Sequence, residues 1–231
     1  MTKLLLRGTY LGHGLTPDRP PIVGGRSGLR VEQWEMEAID MSDSRVLLIH
    51  GMAPRSPAHW MWPLAEQLRE RRIPVQYPGL PDPQHPDLAA WQDLILTELV
   101  MLGDGERVVV CHSLGNILWG ILGAELPPEL RVTRVLMVAP PAPSGLGEAA
   151  AAFRIPDAAF GAGAAAGADH VTVVGRATDP FRAAPLAELT AGWRADVVEL
   201  PGQGHLNPAD GHGPWPWVLD WVLGGAGAPE L

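Results

Sequence analysis

From residue 45 onward, short apolar runs alternate with amphipathic stretches. Val46-Leu47-Leu48-Ile49, Val108-Val109-Val110-Cys111, Val171-Thr172-Val173-Val174 and Val197-Val198-Glu199-Leu200 are rich in β-branched residues and too short for helices. They predict buried strands, and the full pattern places strands near 46–50, 73–77, 107–111, 134–139, 171–175 and 196–200. Helical periodicity occupies the gaps near 58–71, 87–102, 115–125, 181–192 and 214–223. Such alternation predicts an α/β fold: a mostly parallel sheet of about six strands with helices on both faces. Right-handed crossovers and a central 107–111 strand give the expected order 2-1-3-4-5-6. That order leaves a switch point for a site at the carboxyl ends of the strands.

Two segments break the pattern. Residues 1–44 are rich in Gly and Pro (Gly12, Gly14, Pro17, Pro20, Pro21, Gly24, Gly25, Gly28) and lack periodicity. They are expected to form a poorly ordered extension that the rest of the chain does not need, ahead of a single domain over 45–231. Residues 140–168 run from Pro140-Pro141-Ala142-Pro143 into an Ala/Gly-rich stretch with few bulky side chains. A mobile loop with at most a short helix is expected there, and hence a minimal lid.

Hydrophobic residues make up 46% of the 231, enough for a sizeable core. The formal net charge of −9 disfavours nucleic acid and anionic membrane as partners, because phosphate binding needs a basic surface. The single cysteine, Cys111, excludes an intramolecular disulfide and fits a reducing compartment. No apolar run approaches the roughly 20 residues of a membrane span, and the N-terminal leucines are too few for a signal-peptide core. A cytoplasmic protein is expected. The eight histidines show no metal-ligand spacing, so no metal is expected.

The chemistry concentrates where strands end. Val108-Val109-Val110-Cys111-His112-Ser113-Leu114-Gly115 passes from a strand through a serine with small neighbours into a helical pattern. This is the sequence form of a tight turn that pushes a serine hydroxyl out of the backbone. A serine needs a base, and the base needs a third group to fix its tautomer. Asp179 and His205 each fall in a loop after a predicted strand, in the order serine, acid, histidine. Upstream, the strand ending His50-Gly51-Met52 suits an oxyanion loop. The backbone N–H groups of Met52 and Leu114 are the expected donors.

These residues resemble a known family: small α/β-hydrolases of the retinoblastoma-binding protein nine and YdeN-like type. The carriers are Leu48-Ile49-His50-Gly51 with Ala58-His59-Trp60, Pro81-Asp82 with Trp91, and His112-Ser113-Leu114-Gly115. They continue through Val138-Ala139-Pro140-Pro141, Asp179-Pro180-Phe181, Gly204-His205-Leu206-Asn207 and Gly213-Pro214-Trp215-Pro216. The resemblance implies a three-layer α/β-hydrolase fold and a Ser113-His205-Asp179 triad. It also implies a cofactor-free serine hydrolase acting on small carboxylic esters or related acyl compounds. Because the family is partly named for a protein partner, a binding module with little turnover stands as the alternative. Cys111, where the motif usually has glycine, is a departure.

Rival assignments follow from position. Cys111 lies on the strand side of the turn and is expected to point into the core. Asp169 and Asp196 precede their strands and fall at the wrong end of the sheet for an acid. His212 is the rival base, expected on a surface turn. His50 is expected to shape the oxyanion loop and His112 to pack beside the turn. Trp60, Trp62, Trp215 and Trp217 are expected in the core, with Trp60 and Trp215 also candidates for a wall of the substrate pocket.

Overall fold

The computed structural model describes residues 43–224. Six strands, β1 (Ser44–Ile49), β2 (Val75–Gln76), β3 (Glu106–His112), β4 (Val132–Val138), β5 (Ala168–Thr178) and β6 (Asp196–Gln203), form one sheet. Its order is β2-β1-β3-β4-β5-β6 and every pairing is parallel. The helices are α1 (Met61–Glu70), α2 (Leu88–Met101), α3 (Leu114–Glu125), α4 (Asp157–Gly167), α5 (Leu186–Leu189) and α6 (Pro216–Val222).

Strand side chains alternate between faces, so each central strand feeds two cores. Leu47, Ile49, Val109, Cys111, Val135 and Met137 pack with Trp91 and Ile95 of α2, Ile117 of α3 and Phe160 of α4. Val46, Leu48, Val108, Val110, Leu136 and Val138 pack with Met61 and Leu64 of α1 and Trp217 and Val218 of α6. The sheet is thus covered on both faces. This leaves the carboxyl ends of the strands as the open rim, and β3, β5 and β6 all deliver loops there.

Three expectations change. The Ala/Gly-rich stretch within 140–168 is the crossover helix α4 rather than a mobile loop, preceded by short 3-10 turns at Pro143–Gly145 and Glu148–Phe153. Its small residues are there because α4 lies backbone to backbone on α3. A Cβ on Gly163 would fall 1.8 Å from the Gly120 carbonyl oxygen, and one on Gly123 would fall 2.2 Å from that of Gly163. The helix expected over 181–192 shrinks to α5. Pro185 disfavours helical geometry at the residue before it, and Arg182 turns inward to bond backbone carbonyls instead. The 73–77 strand shortens to β2, where Pro74 offers only its carbonyl, accepting from the Val46 N–H. β1 opens at Ser44. The expectation for the N-terminal extension otherwise lies outside the described residues.

Candidate active site

Ser113 sits between β3 and α3 with φ 56° and ψ −129°. Such a backbone in a non-glycine residue costs about 1–3 kcal/mol and persists only where its surroundings impose it. The surroundings are visible. The Ser113 N–H donates to the Val138 carbonyl at 3.1 Å, and the Asn116 amide donates to both the Ser113 and Val138 carbonyls. A Cβ on Gly115 would fall 2.6 Å from the Ile49 carbonyl oxygen, so only glycine lets β1 approach the first turn of α3. Cys111 is fully buried in the core, as its position on the strand side requires, and burial pushes its thiol well above the ordinary value.

The hydroxyl has an imidazole beside it. His205 Nε2 lies 2.8 Å from Ser113 Oγ, while its Nδ1 lies 2.8 Å and 3.0 Å from the two oxygens of Asp179. With a carboxylate facing Nδ1, the proton resides there and Nε2 is free to accept the serine proton. His205 and Asp179 are each 3% exposed. Asp169 and Asp196 stand at or near the opposite ends of β5 and β6.

Several residues hold this line in place. The Asp179 carboxylate also accepts the Phe181 N–H at 2.9 Å. Arg182, its side chain wholly buried, lies 3.9 Å from Asp179 and donates to the carbonyls of Ala184, Arg176 and Pro140. The Asp210 carboxylate accepts the His205 N–H, and His112 Nε2 donates to the His205 carbonyl at 2.9 Å. Sequence reasoning missed Arg182, Asn116 and Asp210. Only Asp210, five residues after His205 in the same turn, left a local signal.

The loop after β1, the candidate oxyanion loop, is equally constrained. His50 Nδ1 donates to the Gly51 carbonyl at 2.8 Å, and its Nε2 accepts the Leu80 N–H at 2.9 Å. Burial holds this imidazole below its ordinary value, consistent with a neutral, shaping role. Gly51 lies on the turn itself: a Cβ there would fall 2.6 Å from Ser113 Cβ and 3.0 Å from the Leu114 nitrogen. Leu114 opens α3, so its N–H has no partner within the helix. Met52, half-buried, follows Gly51.

Trp60 and Trp215 are 1% and 7% exposed and pack edge to face in the core, with Trp60 Nε1 donating to the Leu206 carbonyl at 2.9 Å. Trp60 thereby braces the loop that carries His205. His212 is half-buried rather than on a surface turn, its ring against Trp215 at 4.8 Å. Among the described residues, no group of three or more His, Cys, Asp or Glu side chains is arranged to hold a metal. No described helix is long and apolar enough to cross a membrane. A cavity of about 870 Å³ lined by Asp169, Trp193 and Asp196 lies at the far end of the sheet from Ser113, so its size says nothing about this chemistry. One of about 280 Å³ beside His50 and Leu80 adjoins the loop after β1.

Known proteins share this arrangement of chain. The ydeN gene product from B. subtilis is similar, with 21% identity and a TM-score of 0.66 over 78% of this chain and 97% of its own. A YdeN-like hydrolase from Pectobacterium atrosepticum gives 17% identity and a TM-score of 0.57 over 79% of this chain and 90% of its own. A structure from work on the metagenome-derived lipolytic enzymes LipS and LipT gives 17% and 0.57 over 80% and 93%. These likenesses establish the α/β-hydrolase fold. Among curated proteins, none matches this chain. The profile of the serine hydrolase family matches residues 46–223, from β1 to the end of α6. The chain belongs to the serine hydrolase family, and the protein is a serine hydrolase.

Proposed function

We propose that the protein hydrolyses small carboxylic esters through an acyl-enzyme on Ser113. The observation that carries this reading is the continuous line from Ser113 Oγ to His205 Nε2 at 2.8 Å and from His205 Nδ1 to Asp179 at 2.8 Å. Ser113 Oγ attacks the ester carbonyl carbon while His205 Nε2 takes the hydroxyl proton. Asp179 orients the imidazole and offsets the positive charge that forms on it. The carbonyl oxygen, now negative, is held by the backbone N–H groups of Leu114 and Met52, each worth about 3–4 kcal/mol by deletion in comparable sites. Collapse of the tetrahedral adduct breaks the bond to the alkoxide, which leaves with the proton from His205. Water then repeats the sequence on the acyl-enzyme and releases the acid. The solved structure from the LipS and LipT work describes lipolytic enzymes, which agrees with an ester substrate.

Labelling with a fluorophosphonate, which reacts with activated serines, tests the assignment. The wild-type protein is expected to be labelled and Ser113→Ala not. Labelling that survives the substitution would move the nucleophile elsewhere.

A further inference from the structure

Phe181 is the aromatic among the exposed large hydrophobic side chains of the described residues, at 57% exposure. Its ring lies against the imidazole of His205, centroid to centroid 4.5 Å and tilted by 58°. The backbone beneath it is fixed from both sides. Its N–H donates to Asp179 at 2.9 Å, and its carbonyl accepts the Ala142 N–H at 3.1 Å. An apolar ring in water beside a catalytic imidazole, on a pinned backbone, is a surface waiting for an apolar partner.

Position decides which part of the substrate that is. In the reading proposed above, on which this inference rests, His205 Nε2 hands its proton to the departing oxygen. That oxygen must come within about 2.6–3.2 Å of Nε2. The group it carries begins one bond further out, on the imidazole side of Ser113. The acyl chain, by contrast, departs from the carbonyl carbon bonded to Oγ. Phe181 lies against the imidazole that the leaving oxygen must approach, and aromatic pairs associate at centroid separations of about 4.5–7 Å, so a ring carried one carbon beyond that oxygen is the substrate group best matched to it. We infer that Phe181 is a specificity-determining residue that selects esters of aromatic alcohols, holding the leaving group's ring.

Benzyl acetate, ethyl acetate and ethyl phenylacetate test this with the full-length protein. The first two give the same acetyl-enzyme and differ only in the alcohol; the third carries its ring on the acyl side. Phe181→Ala and Phe181→Leu are expected to lower the benzyl-to-ethyl acetate ratio of kcat/KM about fivefold to tenfold. Phe181→Tyr is expected to keep it. An unchanged ratio with both esters slowed equally would overturn the inference and make Phe181 a prop for His205. A loss confined to ethyl phenylacetate would overturn it too, by placing the ring on the acyl side. In both cases fluorophosphonate labelling of Ser113 persists and the hydrolase reading stands. If wild-type protein is neither labelled nor active on any of the three esters, that reading fails and this inference fails with it.

Discussion

The imidazole of His112 donates its Nε2–H to the main-chain carbonyl of His205 across 2.9 Å, joining the end of β3 to the loop after β6. The residue next to the serine thereby holds the residue proposed to activate it. Burial pushes His112 well below its ordinary value, so the ring is neutral and its single proton sits on Nε2. The rings of His59 and His205 lie 4.7 Å and 5.1 Å from it.

His112→Phe keeps a ring but removes the donor, leaving the His205 carbonyl buried without a partner. The cost to stability is about 1–3 kcal/mol. Because the loop loses its register against Ser113, kcat on a soluble short-chain ester is expected to fall on the order of tenfold, with KM little changed. Steady-state kinetics would decide: a raised KM at unchanged kcat would mean that His112 shapes binding and not the Ser113–His205 geometry.

The contact between α3 and α4 offers a test of the fold. Gly163→Ala puts a methyl carbon where 1.8 Å separates it from the Gly120 carbonyl oxygen. No side chain can rotate away there, so the two helices must separate. Overpacking of this kind costs about 1–3 kcal/mol, outweighing the roughly 1 kcal/mol by which alanine is the better helix former. The urea midpoint is expected to drop. A midpoint that rises would show that helix propensity governs and that the helices are not in backbone contact.

The same contact explains what the sequence concealed. That Ser113, Asp179 and His205 come together was legible because strand ends and small neighbours are local signals, and the three candidates fell in the order serine, acid, histidine. The residues of α4 were not, since Ala and Gly in a loop and Ala and Gly in a tight helix pair have the same composition. Only the position of α3 distinguishes them. Arg182 was hidden for a related reason. An arginine in a turn carries no sign that its guanidinium will be wholly enclosed by carbonyls from residues 140, 176 and 184.

Acid should destabilise the protein through its buried histidines. Burial lowers His59 from 6.5 to about 4, reinforced by the neighbouring His50, His212 and His205, and it lowers His112 as well. The unfolded chain therefore takes up these protons near pH 6.5, while the folded chain refuses them. Stability is full above that pH and is lost as pH falls toward 4. From His59 alone the loss is on the order of 3 kcal/mol across the window. His59→Asn keeps an acceptor for the Met61 N–H, which His59 Nδ1 accepts at 3.3 Å, but does not titrate. Urea midpoints across this window are expected to decline more shallowly in the variant than in the wild type. Identical slopes would assign the acid sensitivity to other groups.

Arg182 sets the last expectation. Its guanidinium is buried at 3.9 Å from Asp179 and spends its donors on three backbone carbonyls. Two of these belong to β5 and the loop that follows it, and the third to Pro140 beyond β4. It therefore ties the turn of Asp179 to the neighbouring strand end. Arg182→Met preserves a long apolar stem but leaves those carbonyls without the guanidinium donor and removes the positive charge 3.9 Å from the Asp179 carboxylate. Removing one member of a buried charged set costs about 3–5 kcal/mol, mostly from the groups left behind. Arg182→Lys should recover little of this, because a compact ammonium cannot span three acceptors as a planar fork does. Both variants are expected to unfold at clearly lower urea concentration. A methionine variant as stable as the wild type would show that burying the charge costs as much as its bonds return, and that main-chain bonds such as Arg182 N–H to the Asp179 carbonyl and Ala142 N–H to the Phe181 carbonyl suffice to hold the turn.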